Sequence, residues 1–169
     1  MNDDSESAVA AYEKGIGVFA DALPVLPNEE TRCMAFYMMG LDYWYLEQWQ
    51  PAADSFLASI EADPQFRFAG AMHWLISECY EKLKAAGQVR SEDADPVIEW
   101  GYQTVFDQYP DDPIVEHAAL RLGEINLARG LPVTACVYFN WFLDRAGVQD
   151  GRAGEVRRIL EGKGIGGCR

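Results

Sequence analysis

The same order and spacing of small and aromatic residues occurs twice along the chain. The first copy reads Phe36-x-x-Met39-Gly40-x-x-Tyr43 then Ala52-x-x-x-Phe56, and the second reads Ala119-x-x-Leu122-Gly123 then Ala135-x-x-x-Phe139. Separations of three and four residues place the members of each group on one face of a helix. Glycine lacks a Cβ, so a second helix can approach it closely. The repetition therefore predicts helical hairpins that bury their apolar faces by stacking on one another.

Start and stop signals divide the chain into eight predicted helices. Val, Ile and Thr are sparse, so the short alternating runs that strands require are missing. We expect helices over about 6–23, from the Asn28 cap to about Trp49, 51–62, 66–86, 96–109, 113–129, 132–146 and 152–162. Residues 87–95 are expected to form a loop before an Asp95 cap with Pro96 at the first helical position, 147–151 a turn, and 163–169 a frayed tail.

These motifs resemble the tetratricopeptide repeat, whose pattern is W-x2-L-G-x2-Y, then A-x3-F, then P. A degenerate middle copy carries His73, Ile76, Ser77, Tyr80, Ile98 and Tyr102 at the corresponding positions. It needs about nine extra residues, which a loop insertion near 87–95 can supply. The resemblance implies an all-α, right-handed α-α superhelix of about three hairpins. The units would be about 29–64, 66–110 and 112–147, in one domain over 1–162 with an N-terminal helix and a C-terminal capping helix.

In tetratricopeptide arrays the first helix of each hairpin lines a concave groove, and the resemblance assigns residues of this chain to it. These are Met34, Tyr37, Leu41, Trp44 and Tyr45 in the first unit, Ala71, Trp74, Glu78, Glu81 and Lys82 in the second, and His117, Leu120, Glu124, Leu127 and Ala128 in the third. Clamps for acidic peptide tails need Lys, Arg and Asn there. Aromatic and Glu side chains instead predict an apolar or weakly basic peptide or helix. Alternatively, the N-terminal helix or a second copy of the chain covers this surface.

The charge of the chain narrows the choice of partner. Its 27 acidic and 14 basic residues give a net charge of −13, which disfavours nucleic acid and anionic membranes. Residues 1–113 carry −15 and residues 114–169 carry +2, which indicates either an interaction surface or a solvated acidic face. No apolar run reaches the length of a membrane span of about 18 residues. Because the first residues are acidic, we expect a cytoplasmic protein, or a periplasmic one if a signal peptide has been removed.

No catalytic or metal-binding motif is found in the sequence. His73 and His117 are 44 residues apart, and neither lies in H-E-x-x-H or beside a spaced Cys. The four cysteines are scattered, so neither a disulfide framework nor a zinc site is expected. His73 falls at a core position and His117 on the groove face. The prediction is a protein that is not an enzyme, with no cofactor and no metal.

Three functions remain open. The first is a non-enzymatic adaptor or assembly module that binds protein, with a homo-oligomer possible. The second is a small chaperone, similar to the tetratricopeptide chaperones of bacterial secretion systems. The third is a subunit of an envelope assembly complex, because residues 97–125 resemble the hairpin junctions of bacterial envelope tetratricopeptide proteins.

Overall fold

The computed structural model describes residues 3–145 and 150–162. Over these ranges the chain forms eight α-helices, one short 3-10 helix and no strand, which confirms the all-α class. The α-helices are α1 Asp3–Ala22, α2 Glu29–Tyr45, α3 Trp49–Ala62, α4 Ala69–Ala85, α5 Ser91–Gln108, α6 Val115–Ala128, α7 Pro132–Arg145 and α8 Gly151–Gly162, and the 3-10 helix is Leu23–Val25. In the described ranges no helix combines the length and the apolar character needed to cross a bilayer. Most of the predicted turn at 147–151 and the tail 163–169 lie outside the described residues.

Contacts group the chain into two compact units, Met1–Gly101 and Tyr102–Arg169. The first unit contains α1 to α4 and the start of α5, and the second contains the end of α5 and α6 to α8. The first unit holds 18 acidic and 6 basic residues, a net charge of −12. The second holds 9 and 8, a net charge of −1. The excess of acidic residues is therefore a property of the first unit.

Three hairpin turns share one backbone geometry. The residue two positions after α2, α4 and α6 has a positive φ, namely Glu47 at 57°, Gly87 at 68° and Gly130 at 73°. In each turn the following N–H donates to the carbonyl five residues back at 2.9 Å, from Gln48 to Tyr43, from Gln88 to Leu83 and from Leu131 to Asn126. This is the Schellman helix ending, and it satisfies carbonyls that the helix leaves unpaired. It ends α2 at Tyr45, so the expectation that this helix continues to about Trp49 was wrong.

The start of α5 also differs from the expectation. Asp95 does not cap the helix, because α5 already begins at Ser91 and contains Pro96. Pro96 is the sixth residue of α5 and has no N–H to donate to the carbonyl four residues earlier, so the helix lacks one intrahelical bond there. Arg90 pairs with Asp93, and Asp95 instead pairs with Lys84 of α4. The predicted loop over 87–95 is therefore a short turn followed by helix.

Acidic side chains shape the entrances to three helices. Asp63, Asp112 and Asp150 each accept a hydrogen bond from the N–H two residues later, at 2.9 to 3.0 Å, shortly before α4, α6 and α8. Such Asx turns replace a backbone turn with a side-chain acceptor. They explain why α6 begins at Val115, two residues beyond the start signal Asp112-Pro113. The predicted cap is confirmed for α2, where the Asn28 side chain accepts from Thr31 N–H at 2.9 Å.

Each unit packs one hairpin through a glycine against a buried phenylalanine. A Cβ on Gly40 of α2 would lie 2.5 Å from Cε1 of Phe56 on α3. A Cβ on Gly123 of α6 would lie 2.5 Å from Cδ1 of Phe139 on α7. Both phenylalanines are 0% exposed. The absence of a side chain on the first helix therefore makes room for the ring on the second helix.

The α4–α5 packing in the first unit uses the reverse arrangement. Here the glycine is on the second helix, because a Cβ on Gly101 would lie 2.5 Å from the His73 carbonyl oxygen. Ser77 occupies the first-helix position, and its hydroxyl donates to the Ile98 carbonyl at 2.9 Å. A small polar residue and a displaced glycine thus replace the Gly–Phe contact. This accounts for the weak match of the middle copy to the repeat pattern.

The cysteines divide into free and bonded residues. Cys33 and Cys79 are buried and free, and burial raises the pKa of the Cys79 thiol to about 12, as suits an inert core residue. Cys136 is disulfide-bonded.

Candidate polypeptide-binding surface

The five groove residues predicted on α2 all reach the surface of the first unit to some degree. Met34, Tyr37, Leu41 and Trp44 are half-buried, whereas Tyr45 is 56% exposed. They follow the helical period, so α2 presents one continuous apolar face. The structure divides their surroundings into two aromatic groups, one at each end of the helix.

The first group lies where α2 turns into α3, and we call it the turn-end cluster: Tyr12, Trp44, Tyr45 and Trp49. Tyr12 of α1 stacks on Tyr45 with ring centroids 5.1 Å apart. The Trp44 ring meets Tyr45 edge-on at 5.4 Å and Trp49 edge-on at 6.0 Å. The Lys82 ammonium of α4 lies 6.0 Å from the Trp49 ring centroid. Aromatic faces carry negative potential, so this end of the unit suits apolar groups and cations.

The second group surrounds Tyr37. Its ring stacks on Phe68 at 5.0 Å and contacts Phe66 at 6.0 Å and Phe56 at 6.3 Å. Burial raises the pKa of the Tyr37 hydroxyl. The Arg67 guanidinium lies 4.7 Å from the Phe68 ring centroid. Tyr37 therefore packs within the α2, α3 and α4 junction, and its truncation would affect stability as well as the surface.

On α4 the predicted groove positions are polar at one end. Ala71, Trp74, Glu78 and Glu81 are half-buried, and Lys82 is exposed. The α3 and α4 helices pack against each other, and Lys82 and Trp49 meet across that contact. The first unit thus brings together the turn-end cluster and the end of α4.

The predicted positions in the second unit carry no Phe, Tyr or Trp side chain. Leu120 and Leu127 pack on the buried cluster that contains Phe139. His117 and Ala128 are exposed. Glu124 forms an ion pair with Arg121 on the same helix. The α6 face thus offers smaller apolar groups than α2 does.

The N-terminal helix covers one flank of α2. In addition to the Tyr12 stack, Gly15 lies directly against the Asp42 carboxylate. Burial there raises the pKa of the Asp42 carboxyl group. Tyr45 nevertheless keeps more than half of its surface, so α1 leaves part of the predicted groove face open.

Sequence reasoning missed two clefts in the first unit. One, with a volume of about 570 Å³, has an apolar floor that includes Leu23, Phe36 and Ala58 and a rim of Glu29, Arg32 and Glu61. The other, of about 340 Å³, is lined by Glu30, Met34, Asp63, Gln65, Phe66 and Arg67. The larger cleft uses a different face of α2 from the predicted groove.

Tyr12 and Trp49 were also missed as surface residues: the helix signals extended α2 to about Trp49, although the repeat register matches Glu47 to the turn position of Gly130. Within the described residues no group of three or more His, Cys, Asp or Glu side chains could hold a metal ion. Comparison with protein-family models and with curated proteins finds no match for this chain.

Proposed function

We propose that the chain is a helical-hairpin repeat protein of the tetratricopeptide type, and that it acts as a non-enzymatic adaptor or assembly module. The recurring Schellman turns, Asx turns and Gly–Phe contacts support this repeat type. The right-handed superhelix of about three hairpins belongs to the proposal. So does a cytoplasmic location.

The binding part of the proposal depends on one observation, the open aromatic surface of the turn-end cluster. Tyr and Trp bury large areas at low entropic cost and act as anchors in protein interfaces. Tyr45 is 56% exposed in a unit that carries a net charge of −12. An apolar or weakly basic peptide, or one face of an amphipathic helix, fits both properties. A small chaperone for an export substrate or an envelope assembly subunit would use the same surface.

The test measures the affinity of a purified partner for matched variants. The partner is first identified by affinity capture and mass spectrometry. Tyr45→Ala and Trp74→Ala are each expected to weaken binding by about tenfold or more, the effect of removing a central anchor. Val137→Ala is the control, because Val137 is 60% exposed on α7 in the second unit. Loss of affinity with Val137→Ala and full affinity with both aromatic variants would overturn the proposal.

A further inference from the structure

One turn of the first unit has a glutamate at a backbone position that favours glycine. Glu47 has φ 57°, in the left-handed region that residues with a Cβ adopt only at a cost. The two other turns with the same hydrogen bonds have Gly87 and Gly130 at this position. Glycine would relieve the strain in the first turn as well. Backbone strain that persists in a fold is most common at functional sites, so we expect the Glu47 side chain to have a function that glycine could not supply.

The residues close to Glu47 in the sequence indicate what this function is. Glu47 is exposed and lies two residues after Tyr45 and two before Trp49, both members of the turn-end cluster. A carboxylate in the same turn as aromatic residues can combine with them to recognise an organic cation, because both attract positive charge. The structure also shows such a cation at this place, since the exposed Lys82 ammonium lies 6.0 Å from the Trp49 ring centroid. That distance is at the outer limit of an effective cation–π contact. Lys82 therefore interacts with the Trp49 ring only weakly and does not occupy the site fully.

We propose that Glu47 and the rings of Trp49, Trp44 and Tyr45 form a subsite for a basic side chain, arginine or lysine, of a partner polypeptide, and that Lys82 competes for it. This inference rests on the proposed function, because it names the chemistry of the partner that the surface accepts. The net charge of −12 on the first unit favours the approach of such a group. The aromatic rings bury its methylene stem while the carboxylate holds its charged head.

The test uses N-acetyl-arginine amide as the probe and N-acetyl-citrulline amide, its neutral isostere, as the control. Both are titrated into the chain of 169 residues at constant ionic strength, and the indole N–H signals are followed by NMR after assignment with Trp44→Phe and Trp49→Phe. We expect the arginine probe to shift the Trp44 and Trp49 signals and to leave Trp141 of the second unit unchanged. Equal shifts with the citrulline probe, or none at Trp44 and Trp49, would overturn the inference.

Variants of Glu47 distinguish the effect of its charge on binding from the effect of its strained backbone on stability. Glu47→Gln keeps the strained residue but removes the charge, and it should weaken arginine binding by about threefold. Glu47→Gly should weaken binding to the same extent while raising the melting temperature, so the loss cannot come from unfolding. Lys82→Met should strengthen binding by about two- to threefold, because the competing ammonium is gone. Asp21→Asn, an exposed charge on α1, should leave the affinity unchanged. Unchanged affinity in Glu47→Gln would refute the subsite.

The inference and the proposed function can fail separately. If a partner binds in a Tyr45-dependent way but the arginine probe does not bind, the proposed function stands and the subsite falls. If the probe binds through Glu47 while partner affinity does not depend on Tyr45 or Trp74, the subsite stands and the proposed function falls.

Discussion

The α2–α3 and α6–α7 hairpins use the same internal contact but differ in the turn that joins their helices. In both, a glycine of the first helix accommodates a buried phenylalanine of the second, Gly40 with Phe56 and Gly123 with Phe139. The turn residue is Glu47 in one and Gly130 in the other, with φ 57° and 73°. The backbone path is therefore the same, and only the second sequence is suited to it. The Gly–Phe contact, which both hairpins keep, is therefore what the fold requires. The strained glutamate in the turn is an additional feature of the first hairpin, and it lowers stability.

The largest test of this comparison truncates the two buried rings. Phe56→Ala and Phe139→Ala should each lower the free energy of unfolding by about 3–5 kcal/mol, the usual cost of such a cavity. The effects should be similar, because both rings are 0% exposed and face a glycine. Chemical denaturation of the two variants measures this. A small loss in either variant would show that the two contacts are not equivalent.

A second test fills the space that each glycine leaves. Gly40→Ala and Gly123→Ala should each cost about 1–3 kcal/mol, because the new methyl group overlaps a ring that the core holds in place. Gly17→Ala and Gly154→Ala are the controls, since a Cβ at either position meets nothing within 4 Å. Each control should stabilise the chain by up to about 1 kcal/mol through helix propensity. Thermal melts of the four variants are sufficient, and stabilisation by Gly40→Ala would contradict the close contact.

The turn residues can be exchanged between the hairpins. Glu47→Gly should stabilise the chain by roughly 0.5–1 kcal/mol, because glycine adopts a positive φ without strain. Gly130→Glu should destabilise it by about 1–2 kcal/mol for the converse reason. The two melting temperatures should move in opposite directions. Movement in the same direction would mean that the positive φ is not what distinguishes the two turns.

The smallest expected effect concerns His73, which is buried on α4, whereas His117 is exposed on α6. Burial lowers the pKa of His73 in the folded chain below its ordinary value of 6.5, so the unfolded chain binds the proton more readily. Stability should be unaffected by this group above pH 6.5 and should fall as the pH drops from 6.5 through the lowered pKa. His73→Phe should remove this part of the pH dependence in thermal melts between pH 7.5 and 5. A slope that stays the same in His73→Phe would assign it to other groups.

Much of the fold could be predicted from the sequence because its signals are local. The number of helices, the Asn28 cap and the stop at Gly130 all depend on the chemistry of a few adjacent residues. The end of α2 was misplaced because a glutamate is not a local stop signal as Gly130 is, and only the repeat register matches Glu47 to the turn. The start of α5 was misplaced because Asp95-Pro96 has the form of a cap, while the partner that engages Asp95 is Lys84, on another helix.

The candidate surface was harder to predict for the same reason. The resemblance to the tetratricopeptide repeat assigned Trp44 and Tyr45 to the groove face, and both belong to the turn-end cluster. Tyr12 joins them from α1, and Trp49 joins them only because α2 ends early. Tyr37 was expected in the groove, but its ring also packs on Phe66 and Phe68, which no repeat position indicates. Contacts between separate helices decide these points, and a single sequence does not display them.

The limited burial of α1 determines how readily this helix opens locally. No side chain of α1 from Glu6 to Ala22 is fully buried, whereas α2 buries four residues, including Cys33 and Met39. Segments with few buried contacts open at a lower free energy than the core around them. Amide hydrogens of α1 should therefore exchange with deuterated solvent well before those of α2. Each opening hydrates Asp42 and frees the second face of the Tyr45 ring, so the area available to a partner is larger than the closed chain presents.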